Sequence, residues 1–230
     1  MKKKIVVLTG AGISAESGIQ TFRGANGLWE GHRIEDVASP EGWKRNRQLV
    51  LDFYNLRRRL LLSVEPNEGH KALVELEKKY HVVVITQNVD DLHERAGSSL
   101  VLHLHGELLK ARSTLDESLI YDWREDITSE DKCELGFQLR PHIVWFGEMV
   151  PRMEDAALIT EKADIFIVIG TSLQVYPAAS LLYFAPSHSR KFLIDPNADE
   201  LPSKVEKQRT IKASATTGVP DLVRLLMSEV

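Results

Sequence analysis

The stretch KIVVLTGAG, residues 4–12, constrains this chain more than any other. An apolar, β-branched run that stops at Gly10-Ala11-Gly12 reads as a strand buried on both faces and ended by a turn. Three more runs have the same character: HVVVIT at 81–86, DIFIVIGT at 164–171 and RKFLID at 190–195. Helical patterns lie between and after them, in NEGHKALVELEKKY, MEDAALITEKA and the closing VPDLVRLLMSEV. Strand–helix–strand order predicts an α/β fold, a parallel sheet with helices on both faces. Two stretches break the alternation. Residues 41–63 read as one long amphipathic helix with Leu49, Phe53, Leu56 and Leu60 on its apolar stripe. Residues 107–139 are polar, with no strong strand. Both read as insertions into a single domain spanning 1–230: a large lobe of 1–24, 66–106 and 140–230, and a small lobe of 25–65 and 107–139.

Composition narrows the classes of function. A net charge of −4 gives no electrostatic reason to expect nucleic acid or an anionic membrane as partner. The single cysteine, Cys133, allows no intrachain disulfide and fits a reducing compartment. The start, MKKKIVVLTGAG, places basic residues before an apolar run, but that run is too short for a signal peptide. No stretch approaches the roughly 20 apolar residues of a membrane span. The expectation is a soluble, cytoplasmic protein.

Four polar clusters lie at four strand ends. In the first, Gly10, Gly12 and Ala15 complete the G-x-G-x-x-G/A pattern of a Rossmann-type dinucleotide site. On this reading Gly10 permits a tight turn, Gly12 admits a pyrophosphate to the backbone, and a following helix offers its N-terminus. No acidic residue ends a strand about 20 positions later, where one is usual, and Asp195, at the end of KFLID, is the candidate for a ribose hydroxyl. In the second, Gln87, Asn88 and Asp90 follow HVVVIT; either Asn88 or Asp90 alone is equally compatible with helix capping. In the third, VLHLHG, alternation puts His103 and His105 on one face, and His105 precedes the flexible Gly106. A lone strand histidine is more often structural than catalytic. In the fourth, Gly170, Thr171 and Ser172 offer backbone and hydroxyl donors. Strand carboxyl ends form the ligand crevice of open α/β sheets, and four clusters there point to one site.

GAGISAESGIQTFR, TQNVDDLH, LHGELLK, RPHIVWFGE and GTSLQVYPA resemble, in order, the motifs of the sirtuins, NAD-dependent protein-lysine deacylases. The resemblance implies a Rossmann-type lobe and a small lobe with NAD and an acyl-lysine peptide meeting between them. It implies products of nicotinamide, free lysine and O-acyl-ADP-ribose. His105 corresponds to the general base, with Asn88 as its catalytic companion. Gly10, Ala11, Gly12, Glu16, Thr21, Phe22, Arg23 and Trp29 would hold NAD from the first motif. Gln87, Asn88 and Asp90 would surround the nicotinamide ribose and carboxamide. Gly170, Thr171, Ser172, Asp195, Pro196, Asn197 and Ala215 would hold the adenosine half; the family commonly has Asn where this chain has Asp195. Val144, Trp145, Phe146, Gly147 and Glu148 resemble the segment that pairs with substrate as an added strand.

Tyr54 and Arg57, spaced i, i+3 in YNLR, share a helix face. A run of three arginines ordinarily reads as a solvated face. The Tyr-x-x-Arg pattern also resembles the acyl pocket of the class III bacterial sirtuins, which remove succinyl and malonyl groups, since Arg offers a carboxylate forked donors. Most sirtuins carry two short-spaced cysteine pairs for zinc in the small lobe. Here Ser113 and Asp116 stand near the first pair, and Cys133 and Gly136 near the second, so no zinc is expected and Cys133 reads as a bystander. Without zinc the small lobe would rest on apolar packing by Leu119, Ile120, Trp123, Leu135 and Phe137. The rival readings are an NAD or ADP-ribose sensor and a mono-ADP-ribosyltransferase on the same fold.

Overall fold

The computed structural model describes residues 2–21, 28–29, 31–200 and 208–229. The first half holds β1 (Lys4–Thr9), β2 (Leu28–Trp29), β3 (His32–Arg33), α1 (Ile34–Val37), α2 (Pro40–Arg45), α3 (Arg47–Ser63), α4 (Glu68–Leu76), β4 (His81–Thr86) and α5 (Leu92–Ala96). Next come β5 (Val101–His103), β6 (Gly106–Ser113), β7 (Ile120–Asp122), β8 (Leu139–Ile143), α6 (Met153–Thr160) and β9 (Ile165–Ile169). The chain finishes with α7 (Leu181–Phe184), β10 (Arg190–Ile194), β11 (Gln208–Ile211) and α8 (Ala215–Ser228).

The large sheet has six parallel strands in the order β11-β10-β9-β1-β4-β5. The chain builds outward from β1 through β4 to β5, then returns to the other side of β1 for β9, β10 and β11. That reversal puts a topological switch point between β1 and β9, where open α/β sheets leave a crevice. Register fixes its rim. Thr9 is paired with both Thr86 and Ile169, and Ile169 with Ile194, so the loops after β1, β4, β9 and β10 leave the sheet at one level. The alternation of each strand explains the burial on both faces. Ile5 and Val7 point with Ile165 and Ile167 into a core shared with α4 and α8, while Val6 and Leu8 point with Phe166 and Val168 toward α6 and α7.

The remaining elements build a third core over the open end of the sheet. Residues 41–63 are two helices rather than one: Asn46 ends α2 and caps α3, its side chain accepting from Leu49 N at 3.1 Å. The buried face of α3 also differs from the expected stripe. Leu56 is exposed, whereas Val50, Leu51, Tyr54, Asn55, Arg57, Arg58 and Leu61 are buried with Phe53. Segment 107–139, expected to lack strong strands, contributes β6 and β7 and opens β8; these form an antiparallel sheet in the order β7-β6-β8.

Ile120, Leu135 and Phe137 are exposed, and only Leu119 and Trp123 of the expected packing set lie against the core. Its buried members here are Leu108, Ala111, Ile127, Cys133, Leu139 and Ile143. Polar latches complete it. The Asn55 amide donates to Ile127 O at 2.8 Å and accepts from Ile127 N at 2.9 Å, pinning the loop after β7 to α3 as a strand partner would. Arg58, wholly buried, donates to Leu108 O at 3.0 Å and to Asn55 Oδ1 at 2.8 Å; burial lowers its pKa to about 10.

Candidate active site

The loop after β1 packs directly on the loop after β9. Gly10 N donates to Ile169 O at 3.0 Å, and Gly12 N to Gly170 O at 2.8 Å. A Cβ on Gly10 would stand 2.7 Å from Thr171 Cβ, and one on Gly12 would stand 2.6 Å from Gly170 Cα. Gly10 itself is extended, with φ −125°, so it does not make a tight turn. Glycine is needed at these two positions because chain meets chain, a different reason from the one the motif suggests. The expected helix is also replaced, by two short 3₁₀ turns at Ala11–Ile13 and Ala15–Ser17. Phe22 and Arg23 lie outside the described residues.

Between these loops and the third core lies a cavity of about 520 Å³. Loop residues Gly10, Ala11, Gly12, Gln87, Asn88, Asp90, Gly170, Thr171, Ser172, Asp195, Pro196 and Asn197 line it, together with Glu16, Thr21, Trp29 and His105. Tyr54, Arg57 and Val144 through Glu148 line it as well. Ala215 does not: it is buried in the sheet core, and its neighbour Ser214 faces the cavity instead. Glu16 lines the cavity with an engaged carboxylate, accepting from Thr216 N at 3.1 Å, Thr216 Oγ1 at 2.7 Å and Ser214 Oγ at 3.1 Å. It fastens the start of α8.

Ser14, which the motif reading passes over, is the hub beneath Asn88 and Asp90. Its hydroxyl donates to Asp90 Oδ2 at 3.0 Å and accepts from Asn88 Nδ2 at 3.2 Å. His70 takes Asn67 N–H on Nδ1 at 3.3 Å, which leaves its Nε2–H to approach Ser14 Oγ at 3.4 Å. Burial raises the Asp90 pKa, opposed by the bonds from Ser14 and from Leu92 N. The bond from Leu92 N, at 3.2 Å, means Asp90 also braces the first residue of α5. Gln87 reaches across the switch point, its Nε2 donating to Thr171 Oγ1 at 3.0 Å.

His105 presents a neutral imidazole. Its Nδ1 is 3.0 Å from Gln87 O, and a carbonyl can only accept, so Nδ1 carries the proton and Nε2 the lone pair. Burial lowers its pKa below the ordinary 6.5, partly offset by the Gln87 bond. Arg57 is buried, its guanidinium 4.3 Å over Trp29 and 5.6 Å over Phe53, so it is not part of a solvated face. Tyr54 is buried beside it, and burial pushes its phenol well above the usual range, keeping it protonated. Glu148 is held at the cavity wall by arginines, its carboxylate accepting from Arg140 at 2.7 and 3.1 Å and from Arg112 at 3.3 Å. The N–H groups of Val144, Trp145 and Phe146 donate to His105 O, Glu148 Oε2 and Ala38 O respectively.

A family model described as Sir2 family matches residues 10–177. The chain belongs to the Sir2 family. A Helicobacter pylori relative named NAD-dependent protein deacylase is 57% identical over 98% of each chain. A Bacteroides thetaiotaomicron relative of the same name is 52% identical, again over 98% of each. Among solved Sir2 structures, a homologue–NAD complex superposes with TM-score 0.89 at 39% identity, covering 98% of this chain and 90% of the other. A Sir2 homologue mutant bound to ADP ribose reaches TM-score 0.90 at 38% identity, covering 100% and 95%. The zinc that many Sir2 members carry does not fit the residues here. Cys133 is packed in the third core, its sulfur accepting from Ser113 Oγ at 3.3 Å, and no group of three or more His, Cys, Asp or Glu among the described residues could hold a metal ion.

Proposed function

We propose that the chain is an NAD-dependent protein-lysine deacylase acting on acetyl-lysine and on lysines carrying succinyl or malonyl groups. The observation that carries this reading is one continuous cavity lined by the neutral His105, by Asn88 and Asp90 oriented from beneath by Ser14, and by the Tyr54–Arg57 pair. The residues fit NAD: the Gly10–Gly12 loop lines the cavity beside Gly170, Thr171 and Ser172, and Asp195 there accepts on Oδ1 from Asn197 N at 2.8 Å, with no bond among the described residues to its second oxygen, which would take a ribose hydroxyl. When bound, NAD supplies a ribose carbon that gains electrophilic character as nicotinamide departs. Asp90 and Asn88, oriented through Ser14, bind and align the reacting end. His105 Nε2 accepts the proton released as the acyl group is transferred, and its low pKa keeps it free to do so at neutral pH. The N–H groups of Val144, Trp145 and Phe146 are already bonded, so a substrate strand laid along this segment finds no donor in these three.

The same reading divides the chain into a large NAD-holding lobe and a small lobe near the boundaries drawn from the sequence, and places the protein in the cytoplasm. No helix among the described residues is long and apolar enough to cross a membrane. The test is incubation with NAD and acetyl-, succinyl- or malonyl-lysine peptide, with products identified by mass. Deacylated peptide with nicotinamide and O-acyl-ADP-ribose supports the proposal. ADP-ribosylated protein would select a transferase, and binding without turnover would select a sensor.

A further inference from the structure

The resemblance gives Trp145 a main-chain role toward substrate, yet its indole is buried and tightly placed. Its backbone N–H donates to Glu148 Oε2 at 2.7 Å, the Arg140 guanidinium lies 3.3 Å over its ring, and Trp43 packs against it at 5.7 Å. Arg140 and Arg112 grip Glu148, and both also donate to Ile143 O, at 2.8 and 3.4 Å. So positioned, the indole Nε1–H donates to the Tyr54 hydroxyl at 3.1 Å.

An indole N–H can donate and never accept. The Tyr54 oxygen is therefore the acceptor in this bond, and the phenol's own proton must go elsewhere. No acceptor among the described residues receives it, and Tyr54 lines the cavity together with Arg57.

We propose that Trp145 is a specificity-positioning residue: by donating to the Tyr54 oxygen it commits that hydroxyl to donate into the cavity, so that Tyr54 and Arg57 offer only donors to the free end of the acyl chain. A carboxylate, which has only acceptors, satisfies such an end. A terminal amide of the same shape brings N–H groups that find no acceptor there, and a buried unpaired donor is costly. The inference rests on the acidic-acyl reading of the pocket and adds what sets the pocket's polarity.

The experiment compares succinyl-lysine peptide with its neutral isostere, in which the terminal carboxylate is a primary amide, on wild-type protein and on Trp145→Phe. In the variant the Tyr54 hydroxyl can turn to accept. The preference for succinyl over the amide, as a ratio of kcat/KM, should fall about tenfold, through KM rather than kcat. Adding Tyr54→Phe to Trp145→Phe should cost the ratio nothing further. An unchanged ratio, or independent additive losses, overturns the proposal while leaving the pocket reading intact. Absence of succinyl-lysine turnover by the wild-type protein sinks that reading and the proposal with it. If Trp145→Phe fails to fold, the wild-type indole proton decides. Its resonance should shift with succinyl-lysine peptide and not with acetyl-lysine peptide, and an indole proton indifferent to the acyl group overturns the proposal.

Discussion

His103 and His105 each donate from Nδ1 to a carbonyl of one loop, Asn88 and Gln87 respectively, both at 3.0 Å. Two residues apart, their pKa values are shifted in opposite directions. Burial would lower the His103 pKa, but Nε2 meets Glu94 Oε1 at 2.8 Å and the net shift is upward. His105 has no carboxylate among its hydrogen-bond partners in the described residues, and burial carries its pKa down. One ring is drawn toward its charged form and the other toward its neutral form, while the same carbonyl ladder orients both.

Replacing His105 by Ala should lower deacylation by roughly a hundred- to ten-thousand-fold, the usual range for losing a general base. Thermal melting should stay close to wild type. The wild-type kcat/KM profile should rise with pH through an acid limb whose midpoint lies below 6.5, the ordinary histidine value. A midpoint above 6.5 would assign the proton transfer to another group.

The His103 strut makes a stability prediction of defined sign. Its folded pKa is raised above the unfolded value, so its contribution is fully present below about 6.5 and fades as pH rises through the folded pKa. His103→Gln should therefore destabilise more at pH 6 than at pH 9, measured by urea unfolding. Equal losses at the two pH values would show that the ion pair with Glu94 contributes nothing.

Gly12→Ala tests the contact between the loops after β1 and β9. The new Cβ would face backbone at 2.6 Å, and Gly170 has no side chain to move aside. Overpacking of this kind costs about 1–3 kcal/mol. The variant should melt earlier and bind NAD more weakly by calorimetry. A variant as stable as wild type would mean that the two loops separate freely.

Four of the six strands of the large sheet were readable as unbroken apolar runs, and the crevice was readable because the loops after them carry small or polar residues; the edge strand β11, QRTI, is mostly polar and was not. The antiparallel sheet was not readable. In β6, GELLKARS, buried and half-buried residues alternate irregularly, and its β8 partner arrives from far along the chain. The buried face of α3 was misjudged for a related reason. Asn55 and Arg58 count as polar in any periodicity, yet Ile127 and Leu108 supply backbone partners that let them be buried. Ser14 and His70 escaped notice because their partners come together only through the fold. Glu16, expected at the cofactor from the motif, lines the cavity, and its bonds to the start of α8 could not be read from the sequence.

His70 predicts acid sensitivity. It is wholly buried, and burial lowers its pKa from 6.5 to about 4. The folded state thus resists a proton that the unfolded chain accepts, so stability is complete above 6.5 and is lost as pH falls toward about 4. A difference of that size is worth about 3 kcal/mol. His70→Gln should flatten the decline in stability across this window, followed by chemical unfolding at fixed temperature. An unaltered decline would assign the acid sensitivity to other groups.

Arg57 carries the acyl selectivity in the proposed pocket, and Arg57→Met separates charge from packing. Methionine keeps an apolar stem against Trp29 and Phe53, where the guanidinium now stacks, but removes every donor. Losing a charge-assisted bond to a buried carboxylate should raise KM for succinyl-lysine peptide by roughly ten- to a hundredfold. Acetyl-lysine has no carboxylate to lose, so its kcat/KM should fall far less. Arg57→Lys should recover only part of the difference, because a single ammonium cannot reproduce the forked geometry. Parallel losses on both peptides would instead mean that Arg57 shapes the wall of the cavity and takes no part in recognising charge.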